Sequence, residues 1–94
     1  MASHNYETQL AALQKLRTYL KHVSEDLQNI IRNCNATMSA LENEGLPVKD
    51  SITFLEEFWV PAQSKISEAV GIINNPATQY VNRQIQGLED LINR

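Results

Sequence analysis

From Tyr6 to Leu41 the apolar side chains recur at steps of three and four residues, with neither proline nor glycine among them. Tyr6, Leu10, Leu13, Leu16 and Leu20 begin the series, and Val23, Leu27, Ile30, Cys34, Met38 and Leu41 continue it. Such steps place every member on one face of a single α-helix. Between Leu16 and Cys34 the steps alternate four and three, the spacing of a seam along which helices pack side by side. Arg17, Lys21, Glu25, Gln28, Arg32 and Asn35 fall on the other face and read as solvated surface. The pattern predicts one helix of ~38 residues, ~57 Å long at 1.5 Å per residue.

The string Glu44-Gly45-Leu46-Pro47 ends that helix. Glycine takes the left-handed conformation that closes a helix, and proline two residues on cannot continue it. Helical steps then resume through Val48, Ile52, Leu55, Trp59, Ala62 and Ile66. They run on through Val70, Ile73, Ala77, Val81, Gln84, Leu88 and Leu91, with Gln84 the one polar member. Pro61 lacks the N–H that would bond to residue 57, so it should kink this arm or begin a new helix. Asn75 reads as an N-cap and Pro76 as a first helical residue, which predicts a break there and two pieces, about 48–73 and 76–93. Two arms of matched length joined by a short turn predict an all-α antiparallel helical hairpin. Its first helix is long, and its second arm is broken near Pro76.

The chain has 94 residues, so residues 1–94 read as a single helical-hairpin domain with a thin stability margin. Apolar residues make up 43% and charged residues 20%, a balance that excludes a disordered chain. The net charge is −3 and no basic stripe appears, which argues against nucleic-acid binding. No apolar stretch is long enough to span a bilayer, so no membrane insertion is expected. The N-terminal Met-Ala-Ser-His-Asn-Tyr-Glu lacks the basic and apolar regions of a signal peptide. A cytoplasmic protein is expected, or one secreted without a signal peptide.

No catalytic, cofactor-binding or metal site is predicted, and the chain does not read as an enzyme. Cys34 is the only cysteine and lies in phase with the apolar stripe, which suits a small buried residue. His22 and Asp26 are one helical turn apart and suit a local charged pair. Glu56–Glu57 and Glu89–Asp90 are sequence neighbours, so they point to different sides of a helix. No serine sits in a nucleophile elbow, and no glycine-rich loop could cradle a phosphate. The Asn35-Ala36-Thr37 sequon lies on a predicted helix and reads as chance.

The stretch "ITFLEEFWVPAQSK" gathers three aromatic rings. Trp59 falls on the inward stripe with Ile52, Leu55 and Ile66. Phe54 and Phe58 lie to one side of it and, with Pro61, Ala62, Ala69 and Ile72, form a flanking strip. A single hairpin partner covers one helix face only, so Phe54, Phe58, Ala69 and Ile72 are predicted to bind a protein partner.

In its length, its two predicted long helices, its short turn and its lone cysteine, the chain resembles the WXG-type small proteins of type VII secretion. These include the small helical partners of LXG toxins. The likeness spans the whole chain and is architectural. The family carries Trp-X-Gly in the turn. Here the turn is Glu44-Gly45-Leu46-Pro47 and the tryptophan follows in Phe58-Trp59-Val60. The family's export signal, Tyr-x-x-x-Asp or Glu, corresponds to Tyr80-Val81-Asn82-Arg83-Gln84, with an amide in place of the acid. The resemblance implies a homodimer or heterodimer forming a four-helix bundle, with a toxin's N-terminal helical region as one candidate partner. It also implies that Tyr80 and Gln84 stand at the export-signal position, and that a chain without the acid travels on its partner's signal. The alternative is a cytosolic oligomeric adaptor or assembly chaperone, phage-encoded ones included, with no export role.

Overall fold

The computed structural model describes residues 2–94, with side chains from residue 5 onward. It is all-α. Helix α1 spans Ala2–Glu44, and the chain is helical again from Val48 to Ile92. That second stretch comprises α2 (Val48–Phe54), α3 (Val60–Ile72) and α4 (Thr78–Ile92). Two π-turns, Leu55–Trp59 and Ile73–Ala77, connect them. A long first helix followed by a bent second one fits the predicted hairpin.

The end of α1 follows from its sequence. Gly45 has φ +120°, where a side chain is strained. With this residue turned, the Leu46 N–H donates to the Leu41 carbonyl at 2.9 Å and the Gly45 N–H to the Glu42 carbonyl at 3.2 Å. This nested pair is a Schellman closure, which satisfies carbonyls that the helix end would otherwise leave free. Pro47 follows with φ −57° and ψ 134°, and its carbonyl accepts the N–H groups of Asp50 and Ser51 at 3.0 and 3.1 Å. One helix stops and the next starts within three residues.

Two compact units divide the chain. The first combines residues up to Ser24 with Gly71–Arg94. Within it Ser24, Val81 and Ile85 are buried, and the Arg17 guanidinium Nη1 donates to Asn82 Oδ1 at 3.2 Å, tying α1 to α4. The second unit is Glu25–Val70, where Met38 and Ser51 are buried and Leu27, Ile31, Cys34, Leu55, Trp59 and Ile66 are half-buried.

Burial along α1 keeps most of the predicted stripe: Leu10, Leu13, Leu20, Val23, Leu27 and Cys34 are half-buried and Met38 is buried. Ser24, Ile31 and Glu42 also lie inward, one position along from Val23, Ile30 and Leu41. Leu16, Ile30 and Leu41, predicted inward, are exposed.

The second arm departs from its predicted stripe for a different reason. Its inward residues run Ser51, Leu55, Trp59, Gln63, then Ile66, Val70, Ile73, then Ala77, Val81, Ile85. Successive steps of four occur where the π-turns lie, because a π-turn inserts one residue into the helix. Val48, Ile52 and Ala62, predicted inward, are exposed in consequence, and Gln84 and Leu91, also predicted inward, are exposed on α4, where Val81 and Leu88 keep the predicted phase. Ser51, Gln63, Ile85 and Ile92 lie inward beside them.

The predicted break at Asn75–Pro76 is also corrected. Asn75 is not an N-cap, and Pro76 lies inside the second π-turn. Pro76 has no N–H to give the carbonyl four residues back, and the wider turn absorbs that loss. The Thr78 N–H and hydroxyl both donate to the Ile73 carbonyl, the hydroxyl at 2.6 Å, and the Asn75 side-chain amide donates to the Gly71 carbonyl at 3.0 Å. Pro61 behaves as its chemistry predicts: a π-turn precedes it and α3 opens at Val60, whose N–H reaches the Leu55 carbonyl.

Candidate functional site

Among the described residues, no group of His, Cys, Asp and Glu is placed to hold a metal ion. Cys34 is a free, half-buried thiol. His22 and Asp26 are both exposed on α1, as are Glu56, Glu57, Glu89 and Asp90 on the second arm. Among the described residues, shallow hollows along Glu7, Ala11, Lys15 and Thr18 are lined by α1. No helix among the described residues is long and apolar enough to cross a membrane.

The aromatic stretch is better defined. Phe54 and Phe58 lie one turn apart across the first π-turn, with ring centroids 6.0 Å apart and planes tilted by 40°. That separation is within the range of favourable aromatic pairs. Both rings are nevertheless exposed, Phe58 to 61%, and Val60 beside them is exposed as well. In the same unit Ile30 and Leu41 on α1, and Val48 and Ile52 on α2, are also exposed. Full burial of such a side chain is worth roughly 1.5–3 kcal/mol, so half-exposed ones forgo about half of that each. Of the other predicted partner-binding residues, Ala69 is half-buried in this unit, and Ile72 is exposed but belongs to the other.

The export-signal-like residues are both on α4. Tyr80 and Gln84 are exposed and one turn apart, while their neighbours Val81 and Ile85 are buried. Gln84, predicted on the inward stripe, lies outside it, because the step from buried Val81 runs to Ile85.

Two further groups escaped the sequence. The Ser51 hydroxyl and the Trp59 indole Nε1 are buried with no hydrogen-bond partner among the described residues. A buried polar group in this condition costs about 1–3 kcal/mol. Ser51 is fully enclosed, whereas Trp59 as a residue is only half-buried, so its orphan nitrogen belongs to the enclosed part of the ring. Both stand on the inward face of the second unit, on either side of Leu55. The signal for Ser51 is Pro61, since a proline that displaces the register upstream of itself changes which neighbour of Ile52 points inward. Comparison with protein-family profiles, with curated proteins and with solved structures gives no match for this chain.

Proposed function

We propose that this chain is a small, non-enzymatic helical partner protein that acts by helix–helix association, with type VII secretion as its setting. One observation carries the association: Ile30 and Leu41 of the predicted α1 stripe remain exposed in the unit that also exposes the Phe54–Phe58 ring pair. Large apolar side chains left exposed together suit an interaction with a partner. A second helical pair meeting this one would form a four-helix bundle, with a second copy or a toxin's N-terminal helical region as the partner. The secretion setting rests on the resemblance in length, element order and turn.

Exposure of Tyr80 and Gln84 supports a reading in which a receptor can reach that turn of α4. Gln84 offers an amide where an acid would complete the signal, so the chain travels as a passenger of its partner. The cytosolic adaptor or assembly chaperone is the second reading, and it shares the same association surface.

Sedimentation equilibrium at micromolar concentration tests association, alone and with the product of the neighbouring gene. A monomer under both conditions overturns the partner reading. Secretion of the tagged chain, with and without that gene and with Gln84→Glu, separates the two settings. Secretion only with the partner supports the passenger, efficient solo secretion refutes it, and no secretion under any condition favours the adaptor.

A further inference from the structure

We propose that Pro61 sets the register of α2 through the π-turn Leu55–Trp59, and that without Pro61 α2 takes an all-α register in which Val48 and Ile52 turn inward and Ser51 turns out. This register setting is a property of the single chain and stands whether or not a partner is found.

The two π-turns are held differently. At Ile73–Ala77 the carbonyls of Gly71 and Ile73 are taken by the side chains of Asn75 and Thr78. That turn is fastened. At Leu55–Trp59 the residues are Leu, Glu, Glu, Phe and Trp, and the one N–H donor among their side chains, Trp59 Nε1, has no partner among the described residues, so the turn's own side chains do not fasten it. At its end the backbone N–H of Val60 donates to the Leu55 carbonyl. The feature that favours it is Pro61, whose ring and missing N–H disfavour a continuous α-helix through residue 57.

What the extra residue does to α2 is visible in its burial. Ser51 is fully enclosed with an unpartnered hydroxyl, while Val48 and Ile52 lie exposed. Converting the π-turn to α-helix removes one residue's worth of phase, which rotates α2 by ~100° about its own axis. Counted back from Ile66 at 3.6 residues per turn, the inward positions become Val48 and Ile52, with Ser51 moved to the flank. The buried polar group and the exposed apolar pair exchange places. This α-helical stripe is also the one that the sequence writes most plainly, through Val48, Ile52, Leu55 and Trp59. Gly45, with φ +120° and no neighbouring atom near its missing Cβ, stands at the pivot between α1 and α2.

The test uses the full chain carrying Cys34→Ala, so that an introduced thiol is the only one. Alkylation rates are measured for Ser51→Cys and, in a separate protein, Ile52→Cys. With Pro61 present, the thiol at 51 should be protected and that at 52 reactive. Adding Pro61→Ala should raise the rate at 51 and lower that at 52, each by about tenfold or more, since thiol reactivity follows exposure. Removal of Glu56 from the Pro61→Ala protein deletes the inserted residue and should restore protection at 51. Circular dichroism on each variant confirms that helicity is retained. An unchanged order of reactivity in Pro61→Ala overturns the assignment to Pro61. So does equal reactivity at both positions, which would mean that α2 has frayed rather than turned, and so does a Glu56 deletion that fails to restore protection.

Discussion

The two buried serines make opposite predictions. Ser51 is enclosed and its hydroxyl has no partner, so Ser51→Ala removes a desolvated polar atom and leaves little space behind. Relief of an unsatisfied group is worth about 1–3 kcal/mol, and alanine exceeds serine in helix propensity by about 0.5 kcal/mol. The small void left by one oxygen offsets part of this, and a net stabilisation of about 1–2 kcal/mol is expected. In a chain of this size that corresponds to a rise in melting temperature of roughly 4–15 °C. Ser24 is also buried, but it has an interaction partner, so Ser24→Ala should destabilise by about 0.5–1.5 kcal/mol. Both are read by urea denaturation followed at 222 nm, with slopes compared to confirm that the same transition is measured. Destabilisation by Ser51→Ala would show that the hydroxyl is satisfied in solution, and the reasoning from its isolation would then be wrong.

Gly45→Ala should cost about 1–2 kcal/mol through backbone strain alone, because no atom lies near the added Cβ; an unchanged denaturation midpoint would refute the left-handed closure. Thr78→Val removes the hydroxyl bond to the Ile73 carbonyl and should cost about 1 kcal/mol, while Thr78→Ser should retain most of it; equal losses in the two variants would rule out the hydroxyl as the fastener. Ile85→Ala should cost about 2–5 kcal/mol, since Ile85 is 3% exposed, whereas Phe58→Ala should cost under about 1 kcal/mol of stability and weaken association instead. Comparable destabilisation by the two would place Phe58 in the interior.

The helices were legible because their signals are local. An uninterrupted series of apolar steps, the Gly45–Pro47 stop and the resumption at Val48 specify α1 and the second arm without any tertiary information. What could not be read was phase. Counting by threes and fours assigns Ile30 and Ile31 equally well to an inward face, and only the packing of the folded chain selects Ile31. On the second arm the difficulty is sharper. Pro61 and Pro76 announce that regular bonding must fail, but not whether it fails by a break or by an inserted residue. The two outcomes differ by one position, enough to exchange Ile52 for Ser51. Phe54 and Phe58 were legible as a surface pair because rings this far from the stripe stay outside in either phase, whereas Ala69 sits close enough to the boundary to fall inside.

The make-up of the two units also bears on the order in which the chain can fold as it is synthesised. Glu25–Val70 is contiguous, so its parts leave the ribosome together and its turn can close at once. The other unit draws residues up to Ser24 from early in the chain and Gly71–Arg94 from much later. At about 5–20 residues per second, Leu10, Leu13 and Leu20 wait several seconds before Val81 and Ile85 exist. During that interval the start of α1 presents an uncovered apolar face beside the growing chain. Arg17 and Asn82 can join only after this delay, so the start of α1 is secured later than the contiguous unit that follows it.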